Sequence, residues 1–235
     1  LVVSDFDGTL AGLRNDPTTV RPVEGAAQAL ADLAAAPKTH AAILSGRTRE
    51  DLRHLLGEPA GVMLLGSFGL ESDASTGEPS EQESLLLDRL TLTLETLSAG
   101  VPGSFVERKS LGVTFHVRGV EPDRHAIALT RARAAASGVA RLHEVHGRDV
   151  VEFLSRGVSK AATLGRLRSL HPGAELVFLG DDLPDEEVFA DATVLSIKVG
   201  PGMTHAQSRI ETPEEAVAWL ARLADARGGV TSADA

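Results

Sequence analysis

Asp5 and Asp7 stand two residues apart in Ser4-Asp5-Phe6-Asp7-Gly8-Thr9, directly behind the apolar pair Val2 and Val3. Two carboxyl groups at that spacing around a turn reach one reaction centre in different roles. One attacks phosphorus as a nucleophile; the other protonates the leaving oxygen and later activates water. Gly8 allows the turn to be tight. Other apolar runs are followed by polar residues in the same way: Ser45-Gly46-Arg47 comes after residues 41–44, and Gly180-Asp181-Asp182, then Asp185, after residues 176–179. Asp5, Asp7 and Asp181 brought together would repel one another strongly without a cation, and hard carboxylate oxygens with water positions left open suit Mg2+. A cation also cancels the charge between an anionic carboxylate and an anionic phosphate. Ser45 can hydrogen-bond a phosphate oxygen, Lys160 can neutralise developing charge, and a helix starting after Ser45 offers N–H groups to an anion. Each piece has a commonplace alternative. Asp-x-Asp can be a solvated turn, Ser45 a helix cap, and Gly-Asp-Asp-Leu-Pro-Asp-Glu an acidic loop before a helix, but capping does not explain the doubled acids.

Such convergence requires a particular scaffold. The first strand ends at the Asp5 turn, residues 23–36 read as a helix closed by Pro37, residues 41–44 as a strand, residues 49–56 as a helix and residues 62–65 as a strand. The alternation returns late, with a helix over 160–169, a strand over 176–179, a helix over 186–189, a strand over 194–199 and a helix over 213–224. Alternating strands and helices imply a parallel sheet, and in such a sheet the functional loops gather at the carboxyl ends of the strands. Between the halves the pattern changes to a helix over 84–99, a hairpin over 105–109 and 113–118, a helix over 123–136 and a second hairpin over 142–146 and 150–154. Antiparallel hairpins interrupting an α/β alternation predict an inserted α+β domain. Residues 72–83, rich in Ser and acid, read as the incoming linker, and residues 228–235 as a frayed tail.

Composition limits what else the chain can do. Its 235 residues suffice for a large domain with a smaller insertion, and 43% apolar with 24% charged content is that of a globular protein. Acidic residues outnumber basic ones by 33 to 23 with no basic run, which argues against a nucleic-acid partner. Without cysteine there is no disulfide, thiolate nucleophile or zinc-thiolate site, so any metal sits on oxygen or imidazole. No apolar run is long enough to span a bilayer, and the first residues lack the form of a signal peptide, so no membrane partner and a cytoplasmic location are expected. The sequence opens on Leu1 rather than Met, implying residues ahead of it. A monomer is the default expectation for the oligomeric state.

Asp5-Phe6-Asp7-Gly8-Thr9-Leu10, Ser45-Gly46-Arg47, Lys160 and Gly180-Asp181-Asp182 resemble, in this order, the motifs of the haloacid dehalogenase superfamily. The resemblance covers the whole chain. It implies a Rossmann-like parallel-sheet core over 1–76 and 156–235 with an inserted α+β cap over 77–155 that selects the substrate. It also implies Asp5 as nucleophile, Asp7 as acid and base, and Mg2+ on Asp5, Asp181 and the Asp7 backbone carbonyl, with Ser45 and Lys160 holding the phosphoryl group. Within the superfamily the chain resembles the trehalose-phosphate phosphatase group. Gly66-Ser67-Phe68-Gly69-Leu70-Glu71, Glu107-Arg108-Lys109 followed by His116-Val117-Arg118, Val151-Glu152 ahead of Lys160, and Gly180-Asp181-Asp182-Leu183-Pro184-Asp185-Glu186 carry that likeness. It implies a sugar phosphate as partner, trehalose 6-phosphate first, gripped by Glu107, Lys109 and Glu152, with Arg47 counted among the substrate-binding residues. A sucrose-, glucosylglycerol- or hexose-phosphate ester is the alternative.

The residues of the insertion allow an independent check. In strands over 105–109 and 113–118, Glu107 and Lys109 share a face, as do Thr114, His116 and Arg118, while Val113, Phe115 and Val117 face the other way. Such a polar face meets either water or a polar ligand. The group's pattern is broken at four places: Phe68 stands where the group has His, Pro184 where it has Thr, Ser155 where it has Pro and Ala161 where it has Gly. Phe68 bears on specificity, because an apolar wall there would suit a different sugar phosphate.

Overall fold

The computed structural model describes residues 1–75, 77–140 and 142–228. The expected frayed tail therefore lies, from residue 229 onward, outside the described residues. Two compact units divide the chain: Leu1–Ala74 with the chain from Lys160 onward, and Ser75–Ser159.

The first unit is built on a six-stranded parallel sheet in the order β10-β9-β8-β1-β2-β3. β1 (Val2–Ser4) lies at its centre, paired with β2 (Ala41–Leu44) on one side and β8 (Leu176–Gly180) on the other. β3 (Met63–Leu65) closes one edge; β9 (Val194–Val199) and β10 (Ser208–Ile210) form the other. All three residues of β1 and all four of β2 are buried, the signature of strands covered on both faces. On one face α1 (Ala26–Ala35) and α7 (Pro213–Gly228) pack Leu30, Leu33, Val217 and Leu220 against Val2 and Ile43. On the other, α5 (Lys160–Leu170) and α6 (Leu183–Phe189) pack Leu164, Leu167, Val188 and Phe189 against Val3, Leu44 and Phe178. α2 (Arg49–Leu56) completes the unit, with Thr48 as its N-cap accepting the Asp51 N–H at 3.1 Å.

The second unit is an antiparallel sheet in the order β4-β5-β7-β6 with two helices on one face. β4 (Phe105–Lys109) pairs with β5 (Gly112–His116), β5 with β7 (Val150–Leu154), and β7 with β6 (His143–His146). Val113, Phe115, Val117, Val151 and Phe153 point to one side, where Leu87, Leu90 and Leu94 of α3 (Glu81–Ser98) and Ala128, Ala132 and Ala136 of α4 (His125–Ser137) meet them. The period-two alternation of these strands thus separates a packed face from a polar one. Arg118 departs from the expectation: β5 ends at His116, and Arg118 lies beyond it, paired with Asp149 at 3.2 Å. No helix among the described residues is long and apolar enough to cross a membrane.

Candidate active site

Because β8, β1 and β2 are parallel neighbours, the residues leaving their carboxyl ends emerge side by side: Asp181 from β8, Asp5 from β1 and Ser45 from β2. Asp5 is still held to the sheet by its N–H donating to the Leu179 carbonyl at 2.8 Å. Its carboxylate is buried, and Lys160, the first residue of α5, places Nζ 3.0 Å from Oδ1. The same ammonium donates to Asp185 Oδ1 at 2.6 Å. Asp185 Oδ2 in turn accepts the N–H groups of Asp181 and Asp182 at 2.9 and 3.0 Å. Asp185 is fully buried and spends both oxygens inside the protein, so it orients Lys160 and the Asp181 turn. Its place among the strand-end acids was visible in the sequence; its pairing with Lys160 required the fold.

The cluster of carboxylates differs from the one expected. Asp5, Asp181 and Asp185 can each bring an oxygen within 4.8 Å of the others, and Asp7 is not in the group. Asp7 is instead gripped by Arg47, whose Nε and Nη2 reach its two oxygens at 2.7 and 2.8 Å, while Nη2 also donates to the Pro17 carbonyl at 3.1 Å. The planar guanidinium matches a carboxylate in this two-pronged way. Arg47, expected on the substrate, is therefore found on Asp7. Ser45 is buried, and its hydroxyl accepts the Arg47 N–H at 3.2 Å.

The electrostatics describe a centre short of positive charge. Burial raises the Asp5 pKa to about 7, with Asp185 and Asp7 adding to the rise and Lys160 opposing it. Asp181 is raised well above the usual carboxylate range, first by burial and then by Asp5, Asp185 and Asp182. Burial alone would lower Lys160, but Asp185 and Asp5 outweigh it and hold the ammonium charged. The Asp181 carboxylate has no hydrogen-bond donor among the described residues, and it fills the space a side chain on residue 8 would need: a Cβ on Gly8 would lie 2.1 Å from Asp181 Oδ2. A buried carboxylate without a donor, next to a second one, is the donor set a hard divalent cation fits.

Within the second unit the polar face collects Glu107, Lys109, His116 and Glu152. Lys109 Nζ donates to Glu152 Oε2 at 2.9 Å, both side chains being buried. Glu107 meets His116 Nε2 at 2.8 Å, and the His116 ring stacks on Phe105 with centroids 4.2 Å apart. Burial raises the Glu152 pKa, against the pull of Lys109. Thr114 lies opposite Glu152 in the ladder, and both Thr114 Oγ1 and Glu152 Oε1 are buried without a partner among the described residues. Thr114 lies on this face as the strand's period-two spacing predicts, and nothing in its sequence position marks the unpaired hydroxyl.

A model of the trehalose-phosphatase family matches residues 3–226. The trehalose-phosphate phosphatase of Mycobacterium avium is 33% identical over 95% of this chain and 62% of its own length, and that of Mycobacterium leprae 34% identical over 80% of this chain and 46% of its own. This chain thus spans about half to three fifths of the mycobacterial relatives. The trehalose-6-phosphate phosphatase of Escherichia coli is 30% identical over 92% of this chain and 83% of its own length. Among solved structures, the C-terminal domain of the Candida albicans trehalose-6-phosphate phosphatase superposes with a TM-score of 0.80 at 22% identity, covering 95% of this chain and 91% of that one. A trehalose-6-phosphate phosphatase related protein gives 0.79 at 24%, covering 99% and 100%. These two carry the fold; the family model and the relatives in sequence add that this chain belongs to the trehalose-phosphatase family.

Proposed function

We propose that this protein hydrolyses trehalose 6-phosphate to trehalose and phosphate through an aspartyl-phosphate on Asp5, with Mg2+ as cofactor. The observation that supports it most is Asp5 itself, a buried carboxylate at the end of the central strand with Lys160 on Oδ1 and Asp181 beside it. Lys160 fixes one oxygen and leaves Oδ2 to bond phosphorus as the sugar–phosphate ester bond breaks. Asp7 donates a proton to the departing sugar oxygen, then takes one from the water that attacks the aspartyl-phosphate, releasing phosphate and restoring Asp5. The Arg47 fork occupies both Asp7 oxygens, so reaching the departing sugar oxygen requires Asp7 to leave that fork. Ser45 and Lys160 bind the phosphoryl oxygens. Asp5 and Asp181, with the Asp7 carbonyl, would hold Mg2+. When bound, that ion supplies the positive charge that lets a carboxylate approach a phosphate.

Residues 75–159 act in this reading as the selecting domain. Glu107, Lys109 and Glu152 engage the sugar, and the unpaired Glu152 Oε1 supports this, because a buried acceptor without a donor is the kind of group a sugar hydroxyl satisfies. The test is phosphate release from trehalose 6-phosphate, sucrose 6-phosphate, glucosylglycerol phosphate and hexose phosphates, each with and without EDTA. Trehalose 6-phosphate should have the highest kcat/KM, and EDTA should abolish turnover. Asp5→Asn should retain the melting profile and lose phosphate release; residual turnover near wild type would reject Asp5 as nucleophile.

A further inference from the structure

We infer that the turn at residues 66–71 is a strut that fixes the Ser45-Gly46-Arg47 loop against the helix carrying Lys160, with Phe68 as its positioning residue. The inference rests on the phosphatase reading for the roles of Ser45 and Lys160, but its geometry stands apart from that reading.

Two consecutive residues other than glycine adopt the left-handed conformation here, Ser67 at φ 47° and Phe68 at φ 57°, ψ 22°. Such a pair is disfavoured for L-residues and persists only where the surroundings impose it. The surroundings do so on both sides. The Ser67 N–H donates to the Arg47 carbonyl at 2.7 Å and the Phe68 N–H to the Ser45 carbonyl at 2.8 Å, so the two strained residues hold the main chain of the loop directly. The Phe68 ring is buried with its tip against Gly46: a Cβ on residue 46 would be 2.8 Å from its Cζ. On the other side the Phe68 carbonyl accepts the hydroxyl of Thr163, one turn along α5 from Lys160, at 2.8 Å. Glu71 locks the turn, accepting from Ser67 Oγ at 2.6 Å and from the Arg49 N–H, the start of α2, at 2.8 Å.

The contacts of Ser67 and Phe68 end on the Ser45-Gly46-Arg47 loop and on α5, the two segments that carry Ser45 and Lys160. The left-handed backbone directs two N–H groups to the loop and one carbonyl to α5 within a single residue step, which an extended or right-handed path would not do. The ring supplies the packing that keeps Gly46, between Ser45 and Arg47, from shifting. An apolar residue at position 68 thus supports the phosphate loop from behind instead of forming a wall for the sugar.

The test compares Phe68→Ala, Phe68→Gly, Phe68→His and Thr163→Val with wild type, reading inorganic phosphate binding by calorimetry, kcat and KM on p-nitrophenyl phosphate, and melting temperature. Phe68→Ala should weaken phosphate binding about tenfold and lower kcat/KM about 10- to 100-fold, the scale of a misplaced binding group. Phe68→Gly, freed of backbone strain but without the ring, should show the same loss while melting no lower than Phe68→Ala. Phe68→His keeps a planar ring and should recover to within about threefold. Thr163→Val, which removes the bond to the Phe68 carbonyl with little change of shape, should move phosphate affinity in the same direction if Phe68→Ala does not fold. Wild-type phosphate affinity and kcat in Phe68→Ala, with only the melting temperature lowered, would overturn the strut, as would a wild-type protein that binds no phosphate. A wild type that binds phosphate but turns over no ester would sink the phosphatase reading alone, and the calorimetric comparison would still decide the strut.

Discussion

Gly8 leaves no room for a single added carbon atom beside Asp181. Its φ of 77° already favours glycine, and the Asp181 carboxylate occupies the space a methyl group would take. Gly8→Ala should therefore cost about 1–3 kcal/mol from the backbone alone and displace Asp181 as well. Magnesium titrated calorimetrically into wild type and Gly8→Ala should show affinity lost along with stability; equal affinities would mean that Asp181 is not a ligand. The strand-end acids were readable from the sequence because a carboxylate directly behind an apolar run has one place to be in a parallel sheet. Their partners were not. Asp7 with Arg47 and Lys160 with Asp185 are 40 and 25 residues apart, and which cation meets which acid depends on side-chain packing that no local pattern records.

The elements follow local rules closely enough that their ends reveal the exceptions. α1 starts at Ala26 instead of 23 because Gly25 enters it with φ 83°, and α6 starts at Leu183 because Pro184 suits a first helical turn. β10 has one apolar residue in three and exists only as an edge partner of β9, so its sequence carries no alternation to find. α3 begins three residues earlier than its apolar pattern, at a capping box: Ser80 accepts the Glu83 N–H at 3.3 Å, and Glu83 accepts the Ser80 N–H at 2.8 Å. Arg156 then clasps both Glu83 oxygens at 2.8 and 2.9 Å, holding that carboxyl well below the usual glutamate range. A lowered folded-state pKa means that the unfolded chain binds the proton more readily. The stabilisation is complete above the ordinary value of 4.5 and is lost as pH falls through the folded-state value. Glu83→Gln should cost about 0.5–1 kcal/mol at pH 7, a partly exposed pair plus a cap. In urea unfolding that difference should narrow as the pH drops below 4.5; a gap unchanged at pH 3 would show that charge is not its source.

The division of the molecule into two units follows from where the apolar residues go. The core of residues 75–159 is complete in itself, since the packed face of its sheet is covered by α3 and α4 of the same unit. Arg156 also ties the two ends of that unit together, donating to the Glu78 carbonyl at 3.0 Å as well as to Glu83. A segment with its own core and adjacent ends folds alone and can be removed without leaving a long gap. Residues 75–159 expressed separately should give a cooperative unfolding transition and dispersed amide resonances. The remaining unit, with residue 74 joined to residue 160 by a flexible linker of about ten residues, which reaches some 33 Å when extended, should also fold, because both faces of its sheet are covered by its own helices. If selection and chemistry are divided as proposed, this shortened protein keeps magnesium-dependent hydrolysis of p-nitrophenyl phosphate and loses its preference for trehalose 6-phosphate over hexose phosphates. Retention of that preference would place sugar recognition in the parallel-sheet unit and remove Glu107, Lys109 and Glu152 from the substrate site. Loss of both activities in a folded shortened protein would mean instead that the phosphoryl chemistry depends on the inserted unit, a coupling that the position of Asp5, Lys160, Asp181 and Asp185 within one unit argues against.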